Sequence, residues 1–161
     1  MELEEIKHAL DDEGFSTLLE VESAKFAVDR LLIIGEITEI EQPLILELIY
    51  MPLAKQDLER IKLLQMFAAL PMDRKEGTEG DLKDLILSLN SKLPLIGFGW
   101  QESQKMVYYR HVLALPEEGT SSDGATVVET VWMIFYLLET CCGAIKAVGK
   151  GEKTLAEAIA E

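Results

Sequence analysis

The chain has 161 residues, 48% apolar and 27% charged, the balance of a globular protein long enough to bury a proper core. Its formal net charge is −14, and most of the excess lies in the first sixty residues, where fifteen acidic residues face five basic ones. Such a surface repels phosphate backbones and anionic lipid, which argues against nucleic acid and membrane as partners and favours a basic protein or peptide.

Leu3, Ile6 and Leu10 recur at helical spacing and predict an amphipathic helix over 2–13, with Gly14 as its C-terminal cap. This acidic opening has no basic n-region or apolar h-region, so no secretory signal is read and the expected location is cytoplasmic. The stretch "STLLEVES" suits either a short strand or a turn. Two strand candidates follow, "DRLLIIGEITEI" and "PLILELIYMP", the second bounded by Pro43 and Pro52. Their near-continuous apolar runs predict cover on both faces, or an interface. "KQDLERIKLLQMFAALPMD" favours a helix by propensity, while a strand over "IKLLQMFAALP" fits as well.

"TEGDLKDLILSLNSKLP" reads as a helix with the apolar stripe Leu82, Leu85, Ile86 and Leu89, ended by Asn90 and Pro94. "IGFGWQESQKMVYYRHVLALP" reads as a β-hairpin. In its second arm Val107, Tyr109, His111, Leu113 and Leu115 share one face, and Met106, Tyr108, Arg110, Val112 and Ala114 the other. Arg110 and His111 therefore point apart and cannot converge on one substrate atom. A long helix is expected from about 123 to 148, interrupted by Glu129 and Glu139 on a solvent-facing stripe, with Arg110 as an alternative partner. No apolar run reaches the roughly 18 residues needed to cross a bilayer. "GKGEKTLAEAIAE" gives a glycine break and a short last helical segment. No repeat or long linker divides the chain, so one domain over 1–161 is expected. Its class is α+β, an antiparallel sheet with helices packed on it, in the order α-β-β-β-α-β-β-α.

Catalytic patterns are missing. His8 sits on an acidic helix, and His111 lies in a strand with a structural role as its simplest reading. Neither "GFGWQ" nor "GKGEKT" has the spacing of a phosphate-binding loop. Cys141 and Cys142 are adjacent, point about 100° apart on a helix, and read as small packing residues. The carboxylates lack the alternation of a calcium loop. No catalytic residue, metal or cofactor is assigned.

The run "LILSLNSKLPLIGFGWQESQKMVYYRHVLALP" resembles the YbjN-like family, described as bacterial sensory transduction regulators. It shares a helix ending near Asn and Leu-Pro, a small glycine-aromatic strand, a polar turn, and a strand closing on "LALP". The resemblance is clearest over 58–145 and tips "IKLLQMFAALP" towards a strand. It implies a fold similar to the type III secretion chaperones, which are small acidic cytosolic homodimers.

The expected function is a non-enzymatic, chaperone-like or regulatory module, binding a polypeptide through sheet and apolar surface as a homodimer. Phe98, Trp100, Tyr108 and Arg110 are the candidate partner contacts, because aromatic and arginine side chains anchor interfaces. Leu82, Leu85, Ile86 and Leu89 are the candidate dimer contact. The alternative is a small-ligand sensor or an enzyme, with a pocket between the sheet and the long helix that draws on His111 and the cysteines.

Overall fold

A computed structural model describes residues 1–53 and 57–160. Ala54, Lys55 and Gln56 lie outside the described residues, the last two at the start of the segment where propensity allows a helix. The elements are α1 (Leu3–Asp12), β1 (Ser16–Glu20), β2 (Arg30–Gly35), β3 (Leu44–Tyr50), β4 (Ile61–Ala69), α2 (Glu79–Asn90), β5 (Phe98–Gln101), β6 (Met106–Pro116), α3 (Ser121–Gly149) and α4 (Leu155–Ile159). The strands form one antiparallel sheet in the order β1-β2-β3-β4-β6-β5. The α+β class and the order of elements are those read from the sequence. "STLLE" resolves as a strand, and so does "IKLLQMFAA". The residues fall into two compact units, each assembled from three chain segments.

The first unit comprises residues 1–35, 45–67 and 111–132. Helix α1 forms because its apolar residues fall on one stripe: Leu3, Ile6 and Leu10 are buried. A reciprocal capping box between Glu2 and Glu5 starts the helix. Gly14, at φ 89°, ends it. Its N–H reaches the Asp11 carbonyl while the Phe15 N–H reaches that of Leu10, the Schellman pattern that only a left-handed residue allows. The helix packs on β1 and β2. Beneath it Leu31, Ile33, Leu46, Leu48, Leu64 and Met66 are sealed from solvent. The inner face of these strands is therefore a closed core.

The second unit comprises residues 36–44, 68–110 and 133–161. Here α2 packs against β5 and against α4. The hairpin register places Phe98 opposite Tyr109, Gly99 opposite Tyr108 and Trp100 opposite Val107. The two glycines of "GFGW" have a shared cause. A Cβ on Gly97 would strike the Tyr109 ring, and one on Gly99 would overlap the Tyr108 ring, so each tyrosine lies where a side chain has been left off.

Helix α3 corrects one expectation. It is 29 residues long, and an 18-residue window of mean hydropathy 1.5 gives it the length and composition to cross a membrane. The apolar content has a local explanation. Val127 and Val131 in the first unit are fully buried, as are Ile134, Leu138 and Cys142 in the second, at the three- and four-residue steps of a core stripe. Glu129 and Glu139 are exposed, as expected of a solvent-facing stripe.

Candidate functional site

Strand pairing in the first unit sorts side chains by face. Leu18 stands opposite Leu32 and Ser16 opposite Ile34; Glu47 stands opposite Phe67 and Ile49 opposite Gln65. Because directly paired residues share a face, Leu18, Leu32, Ile34, Ile45, Ile49 and Phe67 all project away from the core just described. Leu18 is 48% exposed, Ile34 42% and Ile45 48%, whereas their inward neighbours Leu31, Ile33 and Leu46 are at 0%. Leu32, Ile49, Leu63 and Phe67 are half-buried. An antiparallel sheet with one wet face normally carries polar residues there, so an apolar outer face marks a contact surface.

The same face carries one charge cluster. Arg30 donates through Nε to Glu20 and through Nη1 to Glu47, the second at 2.9 Å. The Phe26 ring lies 3.7 Å from the guanidinium carbon. One cation thus stands between two carboxylates, leaving an excess negative charge within an apolar field. Across the first unit's segments the sequence has sixteen acidic and six basic residues.

The hairpin residues singled out in the sequence lie in the second unit. Phe98 is a correction. It is buried, in edge-to-face contact with Tyr109 at 5.2 Å between ring centroids, and offers no surface to a partner. Tyr109 is also buried; its hydroxyl donates to the Leu95 carbonyl at 2.9 Å, and burial pushes its pKa up to about 12. Tyr108 is half-buried and Arg110 exposed, on the opposite face from Tyr109. Trp100 is half-buried, with the Arg74 and Lys83 cations each 5.7 Å from its ring. Its indole N–H donates to Glu102 at 2.8 Å. That bond and the Lys105 ammonium, which contributes most, pull the Glu102 carboxyl down to about 2. These contacts tie Trp100 into the hairpin's own polar network.

The proposed dimer stripe is a second correction. Leu82, Leu85 and Ile86 are 3%, 1% and 4% exposed, so the chain's own core uses the surface a second copy would need. Leu89 is half-buried. The exposed apolar residue of α2 is instead Leu87.

His111, whose pKa burial lowers, belongs to the first unit, while Cys141 and Cys142 belong to the second. Both cysteines are buried free thiols whose pKa is raised by desolvation, to about 12 for Cys142. They are poor nucleophiles in that form. Among the described residues no cluster of three His, Cys, Asp or Glu is placed to hold a metal ion. The second unit does contain an open groove of about 700 Å³ between α2, the end of α3 and α4. Sequence reasoning missed both the outer sheet face and this groove. The first was legible only as apolar runs that would need cover. The second depends on which small residues face which helix.

Compared with protein family models, curated proteins and solved structures, the chain matches none.

Proposed function

We propose that this protein is a non-enzymatic, cytoplasmic interaction module that holds an apolar, basic polypeptide segment against the outer face of β1–β4 in the first unit. The observation that carries this reading is the contrast between the two faces of those strands: the inner is closed by α1 and core side chains, the outer is apolar and open. Charge selects the occupant. An acidic unit whose open face has two carboxylates to one guanidinium attracts lysine and arginine and repels acidic chains. An extended segment with alternating apolar and basic residues satisfies both demands, since its apolar side chains cover Leu18, Ile34 and Ile45. A second copy is the weaker occupant, because two acidic units would meet. The resemblance to the YbjN-like family, with its secretion-chaperone-like fold, supports the same reading. A holding assay tests it. Reduced, unfolded lysozyme, a basic protein, is diluted into buffer and its light scattering followed. The protein at equimolar concentration suppresses aggregation and fails to do so for an acidic unfolded protein. Equal aggregation with and without it would refute the reading.

A further inference from the structure

The outer face of β1–β3 is ordered as well as apolar. Its side chains fall into rows that cross the strands. Ser16 pairs with Ile34, Leu18 with Leu32 and Glu20 with Arg30. On β3 the successive outward residues are Ile45 and Glu47, and Glu47 meets Arg30. Because β3 runs against β2, Ile45 stands on the Leu32 side of Glu47. The exposed apolar side chains Leu18, Ile34 and Ile45 therefore all lie on one side of the row Glu20–Arg30–Glu47. That row sits where β1 ends and β2 begins.

The charged row is held in place and short of one cation. Ser23 and Phe26 exchange backbone hydrogen bonds at 3.0 and 3.3 Å, which fixes the turn that carries the Phe26 ring over the Arg30 guanidinium. Arg30 engages one oxygen of each carboxylate, Oε2 of Glu20 and Oε2 of Glu47. Neither Oε1 has a partner among the described residues. The β1–β2 loop does not make up the deficit. Lys25 forms no ion pair among the described residues, and Glu22 and Asp29 are further acids. The Arg30 side chain is 25% exposed and both carboxylates 27%. They are open to an incoming side chain yet partly withdrawn from water, where a charge pair is stronger than on an open surface.

We propose that this row takes one basic residue of the held segment and fixes its place: the last of three alternate sheet-facing residues, next to two apolar ones. An extended chain packed on a sheet runs within about 30° of the strands beneath it. Its facing residues recur every about 6.6 Å, which is also the spacing of the rows. One apolar residue then covers Ile34, the next covers Leu18 and Ile45, and the third, lysine or arginine, donates to the free Oε1 atoms of Glu20 and Glu47. One basic residue thus takes a sheet-facing position, while the others of the segment point to solvent. This order depends on the face holding polypeptide, and sets where in the segment the basic residue falls.

Fluorescence anisotropy with three labelled seven-residue peptides, all with serine at the odd positions, tests this. The first carries valine, valine and arginine at the even positions, the second valine, arginine and valine, the third valine, valine and glutamate. The first two share composition and net charge, so long-range attraction is the same for both. The first is expected to bind the full chain about fivefold tighter than the second, and at least tenfold tighter than the third. Glu20→Gln with Glu47→Gln is expected to bring the first two within about twofold of each other. The wild-type ranking stands whether or not that variant folds. Equal binding of the two isomeric peptides to the wild type, or a ranking that survives in the folded double variant, would overturn the placement while leaving the face a polypeptide surface. An alternating lysine–valine peptide is the control. If it binds and none of the three does, the placement is wrong; if it too fails, the reading of the face falls and the placement with it.

Discussion

Asn90 and Phe98 are locked together by a reciprocal pair of hydrogen bonds. The Asn90 amide nitrogen donates to the Phe98 carbonyl at 2.8 Å, and the Phe98 N–H donates back to Oδ1 at 3.1 Å. The side chain imitates a missing strand, so the last residue of α2 fixes where β5 begins. Asn90→Ala leaves both backbone groups half-buried without partners and costs about 1–3 kcal/mol. Asn90→Asp keeps the acceptor but loses the donor, and stands a carboxylate against the Phe98 carbonyl. Urea unfolding is expected to rank wild type above both variants.

Gly99 exists for Tyr108. A side chain at 99 overlaps the Tyr108 ring, so Gly99→Val forces the ring off its site or the hairpin apart. We expect a loss of about 1–3 kcal/mol, as for other overpacked sites. Removing the ring as well, in Gly99→Val with Tyr108→Ala, is expected to recover part of it. A double-mutant cycle measures that coupling; strictly additive losses would show that the ring and the glycine are independent.

On α2 the structure separates two neighbouring leucines. Leu85 is a core residue and Leu87 is 68% exposed. Leu85→Ala is expected to cost about 2–5 kcal/mol, and Leu87→Ala within about 0.5 kcal/mol of nothing. Charged residues at Leu85 and Ile86, which a dimer-contact role would tolerate in a folded monomer, are instead expected to unfold the chain. Circular dichroism of Leu85→Asp reads the difference.

Alkaline pH is expected to destabilise the fold through buried neutral acids. The Cys142 thiol rises from its ordinary 9.0 to about 12, and the phenols of Tyr50 and Tyr109 from 10.0 to about 12, in each case first through desolvation. The unfolded chain releases these protons at lower pH than the folded one. Their contribution is therefore complete below pH 9 and is lost as pH climbs towards 12. Between pH 9 and 10 the cysteines act before the tyrosines, so Cys142→Ala is expected to flatten that part of a plot of urea midpoint against pH. An identical slope in the variant would assign the loss to other groups.

The sequence made local features legible and left non-local ones unread. Alternation along "VYYRHVLALP" correctly set Tyr109 inward and Arg110 outward, because a strand's period of two is a property of the chain alone. Asn90 was visible as a helix end, but its grip on Phe98 was not, since it needs the hairpin's position. The stripe Leu82, Leu85 and Ile86 was read as a helix face without saying what covers it, and burial in the core was the answer. The outer sheet face was harder. Residues such as Ile34 and Ile45 lie in runs apolar on both faces, and a sequence cannot distinguish a strand covered on both sides from one whose second cover is another molecule. Only the pairing of Ser16 with Ile34, together with their exposure, shows that among the described residues no element of the first unit covers that end of the face.

Fluorescence anisotropy of a labelled twelve-residue peptide of alternating lysine and valine tests the central claim most directly. The wild-type protein is expected to bind it in the micromolar range, with an affinity that falls as salt rises, and to ignore the glutamate–valine counterpart. Ile34→Ser with Ile45→Ser, which strips the open face without adding charge, is expected to weaken binding at least tenfold while leaving the urea midpoint unchanged. Equal affinity for both peptides, or for wild type and the double variant, would contradict an outer sheet face that holds basic, apolar chains.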